Sequence, residues 1–138
     1  MDKEAGKDRT LKRGDIYYAN LSGIEQSCGS EQKGRRPVII IQNDAGNRYA
    51  PTTIVAIMTT RHKKRLPTHV RLRKIGGLKC AGIICLEQIK TIDKSRLEQY
   101  LGNVGEKAMQ KIEKAIMVSL GMGRQMKAPF LIRQHLDN

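Results

Sequence analysis

Gly29-Ser30-Glu31-Gln32-Lys33-Gly34-Arg35-Arg36-Pro37-Val38-Ile39-Ile40-Ile41-Gln42-Asn43 carries a polar loop, bracketed by glycines, straight into a strongly apolar run. Glycines at 29 and 34 permit tight backbone conformations, and Pro37 drives Arg36 towards extended geometry. The Arg36 side chain is therefore held where a loop meets a sheet. Val38 to Ile41 are all branched, which predicts a strand buried on both faces, and Gln42 to Asn47 end it with turn-forming residues. A surface hairpin with a solvated arginine is the plainer alternative. Against it stands a long polar connection, Ser22 to Arg36, without helical pattern; in a small domain such a loop is usually functional or disordered.

Working outward, Asp15 to Leu21 gathers β-favouring residues after Gly14 and predicts the first strand, with Asp15 satisfying backbone or an arginine. Asn43 to Pro51 is expected as a connection. Thr53 to Thr60 follows as a third strand, apolar until its end, where alternation sends Thr59 and Thr60 to opposite faces. The densest basic run, Arg61-His62-Lys63-Lys64-Arg65, is expected at a hairpin tip, either solvated or gripping phosphates. Thr68 to Leu72 alternates as a strand with one wet face, Val70 and Leu72 pointing inward. Cys80 to Ile92 is a further apolar strand region, interrupted by Glu87 and Gln88, which either face solvent or line a site. Asp93 is expected to cap a short helical turn, Lys94 to Leu97. A core-facing helix is expected after Asn103, with Glu106 completing a capping-box-like pair. Met109, Ile112, Ile116 and Leu120 form its apolar stripe, and Gly121 and Gly123 end it.

One domain suffices for 138 residues. Residues 1–11 are expected to be a flexible arm, 12–120 the folded unit, and 121–138 a basic tail. Twenty-six Lys and Arg against 13 acidic residues give a net charge of +13, which favours a polyanionic partner such as nucleic acid. No apolar run approaches membrane-spanning length and no leader is visible, so the expected location is the cytoplasm, with no membrane partner. Cys28, Cys80 and Cys85 are odd in number and lack CxxC spacing. They are expected to be thiols rather than a disulfide framework or a four-ligand zinc site, and no metal or cofactor is expected. Several strands with short turns and one carboxyl-terminal helix predict a mainly β, α+β fold: a small, strongly bent sheet or partly open barrel.

The ordered set Arg13-Gly14-Asp15, Gly29-Ser30-Glu31-Gln32, Arg36-Pro37, Ile41-Gln42-Asn43-Asp44, Leu66-Pro67-Thr68-His69-Val70 and Leu86 to Lys94 closely resembles the MazF/PemK family of toxin endoribonucleases. The resemblance covers roughly residues 12 to 120, and several motifs in order are more specific than any one alone. It implies an SH3-like barrel, CcdB/MazF-like, that forms a homodimer. It further implies metal-independent cutting of single-stranded RNA, including mRNA, to give 2′,3′-cyclic phosphate and 5′-hydroxyl ends. A MazE-like antitoxin would restrain it. Position by position, the catalytic arginine falls on Arg36 and the catalytic threonine on Thr59. Ser30, Glu31 and Gln32 match a loop over the RNA, and Glu87 and Gln88 a pair near the substrate groove. Arg35 stands where the family usually has an uncharged residue, and with Arg61, Lys63, Lys64 and Arg65 it is assigned to RNA binding.

That chemistry is consistent with the residue types. Attack by a ribose 2′-hydroxyl on its phosphate needs a proton acceptor, a proton donor and charge stabilisation on the phosphoryl oxygens. A guanidinium supplies the last through several donors in a fixed fork. It stays charged and is a poor base, which leaves the general base unassigned. His62 lies in the basic tip, His69 reads as structural, and His135 lies beyond the matched region. Two other functions compete: a non-catalytic barrel that binds RNA or DNA, and a protein-targeting gyrase poison. The absence of any tryptophan weighs against the second.

Overall fold

Val38, Ile39 and Ile40 are each fully buried, as a branched run with both faces covered must be. They belong to β2 (Arg35–Ile40), one of six antiparallel strands in a computed structural model that describes residues 10–24, 34–60 and 64–123. The others are β1 (Asp15–Asn20), β3 (Thr52–Thr59), β4 (His69–Leu72), β5 (Gly82–Asp93) and β6 (Leu97–Asn103). Among the described residues two α-helices, α1 (Asp44–Tyr49) and α2 (Gly105–Ser119), accompany them. The strand order is β4-β5-β3-β2-β1-β6.

Alternation along the central strands divides the core in two. Ile16, Ile39, Ala56, Met58, Ile84 and Leu86 cover one face of the sheet, against Ile112 and Ala115 of α2. Tyr17, Val38, Ile40, Val55, Ile57 and Ile92 pack on the other with Leu21 and Leu97. Although β4 and β6 are the outermost strands, the chain leaving β4 reaches β6, where the Gly77 N–H donates to the Leu101 carbonyl at 2.7 Å. A Cβ on Gly76 would lie 2.0 Å from that carbonyl oxygen, so only glycine permits the approach. The sheet is therefore strongly curled, a half-barrel with one carboxyl-terminal helix. No helix among the described residues is long and apolar enough to cross a membrane.

Four local expectations need correction. The connection after β2 contains a helix, α1, whose first turn is capped by Asn43 Oδ1 accepting from the Gly46 N–H at 2.7 Å. Between Asp93 and Asn103 the expected helical turn shortens to a 3₁₀ turn, Lys94–Arg96, and a whole strand follows. Only Leu97 and Leu101 of β6 are buried, a spacing of four that imitates a helix. Two register irregularities against β1 produce it. The capping box does not form: α2 starts at Gly105, and Asn103 Oδ1 accepts that residue's N–H at 2.8 Å. Leu120 is 61% exposed, past the last turn and outside the apolar stripe. Gly121 (φ +71°) stops α2 as expected, and the Met122 N–H bonds back to the Met117 carbonyl.

Candidate active site

The site is built on the middle of the sheet. In the β2–β3 ladder Val38 lies opposite Ile57, and continuing that antiparallel register by two residues sets Arg36 opposite Thr59. Directly opposed residues share a face, with Cβ atoms about 4.5–5.5 Å apart. Both are buried, Arg36 at 6% and Thr59 at 4% exposure, whereas Thr60 beyond the strand is exposed. On its other side Arg36 pairs with Ala19 of β1. The loop that precedes β2 has a closed neck. The Leu21 N–H donates to the Gly34 carbonyl at 2.7 Å, and Gly34, at φ +88°, would meet Ser22 within 3.0 Å if it carried a Cβ. Arg96 reinforces the neck by donating to the carbonyls of Asn20 and Ser22. Upstream, the buried Asp15 accepts from the Lys12 N–H and from Asn103 Nδ2, the backbone role expected of it.

The register extends the Thr59 row outward: Thr59 opposes Ile83 of β5, and Ile83 opposes Arg71 of β4. Arg71 is exposed, so a cation stands on the same face two strands from Thr59. It was not among the expected site residues. The alternation of His69-Val70-Arg71-Leu72, with Val70 and Leu72 inward, was the signal that marked its face.

Glu87 and Gln88 owe their position to a bulge. Ala56 pairs with Ile89 but the next residue, Ile57, pairs with Cys85, so Leu86, Glu87 and Gln88 oppose nothing on β3. Bulges re-aim side chains in this way. The Leu86 N–H turns instead to the Thr68 carbonyl, and the Glu87 carboxylate accepts from Thr68 Oγ1 at 2.7 Å and meets His69 Nε2 at 3.0 Å. Burial pushes this carboxyl's pKa up, but hydrogen bonds from Thr68, His69 and its own backbone outweigh burial and hold it below its usual 4.5. Together with Cys85 Sγ these groups bring imidazole, thiol and carboxylate atoms within 4.8 Å of one another.

Arg35 is separated from Arg36. Alternation turns it to the opposite face, where it pairs with Glu98 at 2.6 Å and lies over the Tyr18 ring. Lys64 and Arg65 are exposed on the connection between β3 and β4. Ser30, Glu31, Gln32, Arg61, His62 and Lys63 lie outside the described residues, as do Cys28 and His135.

Residues 12–120 match the family model described as PemK-like, MazF-like toxin of type II toxin-antitoxin system. The chain belongs to this PemK/MazF toxin family. Similar to it is the Endoribonuclease MazF of Staphylococcus saprophyticus, 48% identical over 114 residues, covering 81% of this chain and 92% of that one. Among solved structures, an endoribonuclease in complex with its cognate antitoxin from a mycobacterial species gives a TM-score of 0.66 at 27% identity, covering 82% of this chain and 97% of that chain. MazF from Deinococcus radiodurans gives 0.67 at 24% identity over 83% of this chain and all of that one, a likeness of fold. The PemK/MazF span includes Arg36, Thr59, Arg71 and the β5 bulge.

Proposed function

We propose that this PemK/MazF-family chain is a toxin endoribonuclease that cuts single-stranded RNA, mRNA included, in the cytoplasm at a preferred sequence and without a metal ion. The observation that supports it best is the β2–β3 register, which, continued by two residues beyond Val38 and Ile57, sets the buried Arg36 opposite the buried Thr59. The 2′-hydroxyl attacks the adjacent phosphorus, the 5′-oxygen leaves, and the products carry a 2′,3′-cyclic phosphate and a 5′-hydroxyl. Arg36 sets its fork against the phosphoryl oxygens as negative charge develops there, and Thr59 adds a neutral hydrogen bond. Burial keeps water from competing for both groups and fixes their rotamers. Incubating long RNA, and DNA of equal length, with the protein in EDTA should yield discrete RNA fragments with these ends and leave the DNA whole. Fragments bearing 5′-phosphate, or activity lost to EDTA, would refute the mechanism. RNA bound yet intact would favour a non-catalytic binding barrel.

Arg71 on the site's face and the exposed Lys64 and Arg65 on the connection between β3 and β4 position the substrate. Neutralising Lys64, Arg65 and Arg71 together should weaken RNA binding and flatten its salt dependence by up to about one unit of slope per lost phosphate contact, with turnover at saturating RNA little changed. Titrations at several salt concentrations read this directly, and an unaltered slope removes these residues from the interface.

The protein further acts as a homodimer held in check by a MazE-like antitoxin. A protomer of net charge +13 is complementary to an acidic segment that folds on binding and competes with RNA. Light scattering should give the mass of a dimer at micromolar concentration, and the bound antitoxin should displace RNA. A monomer, or a ternary complex with RNA retained, contradicts the respective half.

A further inference from the structure

We infer that His69, Cys85 and Glu87 form a binding site for one transition-metal ion of the zinc class, distinct from the Arg36–Thr59 pair. His69 opens β4 and is paired directly with Cys85 of β5 in the ladder, so imidazole and thiol project from one face. The bulge at residues 86–88 then brings Glu87 back to the same point. Ligand atoms from all three residues lie within 4.8 Å of one another, and His69 Nε2 is already 3.0 Å from Glu87 Oε2. A tetrahedral ion with bonds of about 2.0–2.3 Å needs ligand atoms roughly 3.5 Å apart. A shift of about an ångström closes the set.

The state of the imidazole is the second observation. The His69 side chain is only 4% exposed, and its Nδ1 is buried with no hydrogen-bond partner. An ion held between Nε2 and the Glu87 carboxylate requires the neutral imidazole with its proton on Nδ1, and no hydrogen-bond donor at Nδ1 opposes that tautomer. Thiolate with imidazole and carboxylate is a donor set for zinc or cobalt rather than for magnesium or calcium, which take oxygen ligands. On binding, the Cys85 S–H bond breaks, its proton goes to solvent and an S–metal bond forms, with no change of oxidation state. Three protein ligands leave a fourth position for water. The ion ties the edge strand β4 to the β5 bulge, two residue pairs along the sheet from the Thr59 row. Its occupancy is separate from the cleavage chemistry, which is proposed to resist EDTA.

The test uses the untagged, metal-stripped full chain titrated with Co²⁺ under a non-thiol reductant. One equivalent per protomer should produce a thiolate-to-cobalt charge-transfer band in the near ultraviolet, and Zn²⁺ should abolish it by displacement. Cys85→Ser should lose the band and His69→Ala should bind at least about a hundredfold more weakly, beyond the 10–100-fold typical of removing an outer partner. Cys28→Ser and Cys80→Ser should behave as the parent. Glu87→Gln, a near-isosteric change that preserves the fold by circular dichroism, should keep the band but need much more cobalt. Added Zn²⁺ should raise the melting temperature of the parent and not of Glu87→Gln at the same concentration. No band in the parent, a band that survives Cys85→Ser, or equal zinc stabilisation of parent and Glu87→Gln overturns the site.

Discussion

Replacing Arg36 by alanine should lower turnover on RNA by on the order of a hundredfold or more, and replacing it by lysine should do nearly as much damage. One preorganised donor aimed at developing charge contributes on that scale, and the structure places Arg36 where preorganisation is strong. It is buried at the base of a closed loop neck, on a central strand, opposite Thr59. If charge alone mattered, lysine would suffice. A lysine is a point charge on a flexible stem and cannot present two parallel donors to a phosphorane, so the two variants should fail alike while RNA affinity falls far less. Thr59→Ala should resemble them in kind but be milder, since it removes one neutral hydrogen bond. Single-turnover cleavage measured beside RNA affinity separates these effects. A folded Arg36→Ala protein that cleaves at the parent rate would remove this residue from the chemistry.

The second large effect is structural. Gly76→Ala should lower the melting temperature by on the order of 10 °C, because a methyl group there would sit 2.0 Å from the Leu101 carbonyl oxygen at a backbone φ of +51°. Overpacking of this kind costs about 1–3 kcal/mol, and a left-handed residue adds about 1 more. Gly105→Ala isolates the second contribution, since Gly105 has φ +86° but a Cβ there meets nothing within 4 Å. It should cost about 1 kcal/mol. Equal thermal shifts for the two variants would mean that the contact between the β4 exit and β6 does not hold the half-barrel curled.

The parts of this molecule that were legible in its sequence are those where local chemistry and tertiary environment agree. Val38 to Ile40 are branched and buried on both sides, so periodicity could report them; Arg36-Pro37 and Gly34 announce their backbone geometry through residue type. β6 was illegible because its irregular pairing with β1 leaves Leu97 and Leu101 as the only buried residues, and α1 because six residues are too few to establish a helical period. At the candidate site, Arg36 was assigned by the Arg36-Pro37 motif and Thr59 by its spacing from Pro51-Thr52, and the continued β2–β3 register sets the two opposite each other. Arg71 did not stand out in the sequence because its place in the Thr59 row is set by pairing across two strands. The His69, Cys85 and Glu87 grouping has no close spacing in the sequence for the same reason: it is assembled by a ladder and a bulge.

The neck joining Leu21 to Gly34 has a consequence for how such a protein can change. Because the chain leaves and re-enters the sheet through one hydrogen-bonded gate, clasped from outside by Arg96, residues between Ser22 and Gly34 can lengthen or shorten without altering the path of β1 or β2. Doubling such an excursion costs only about 0.6 kcal/mol in closure entropy. Variation in this segment is thereby insulated from Arg36, three positions beyond Lys33 and already on the strand. The fold behaves as a fixed chassis with an exchangeable cassette, so a segment of different length can be grafted between these two anchor points while the sheet that carries Arg36 and Thr59 stays unchanged.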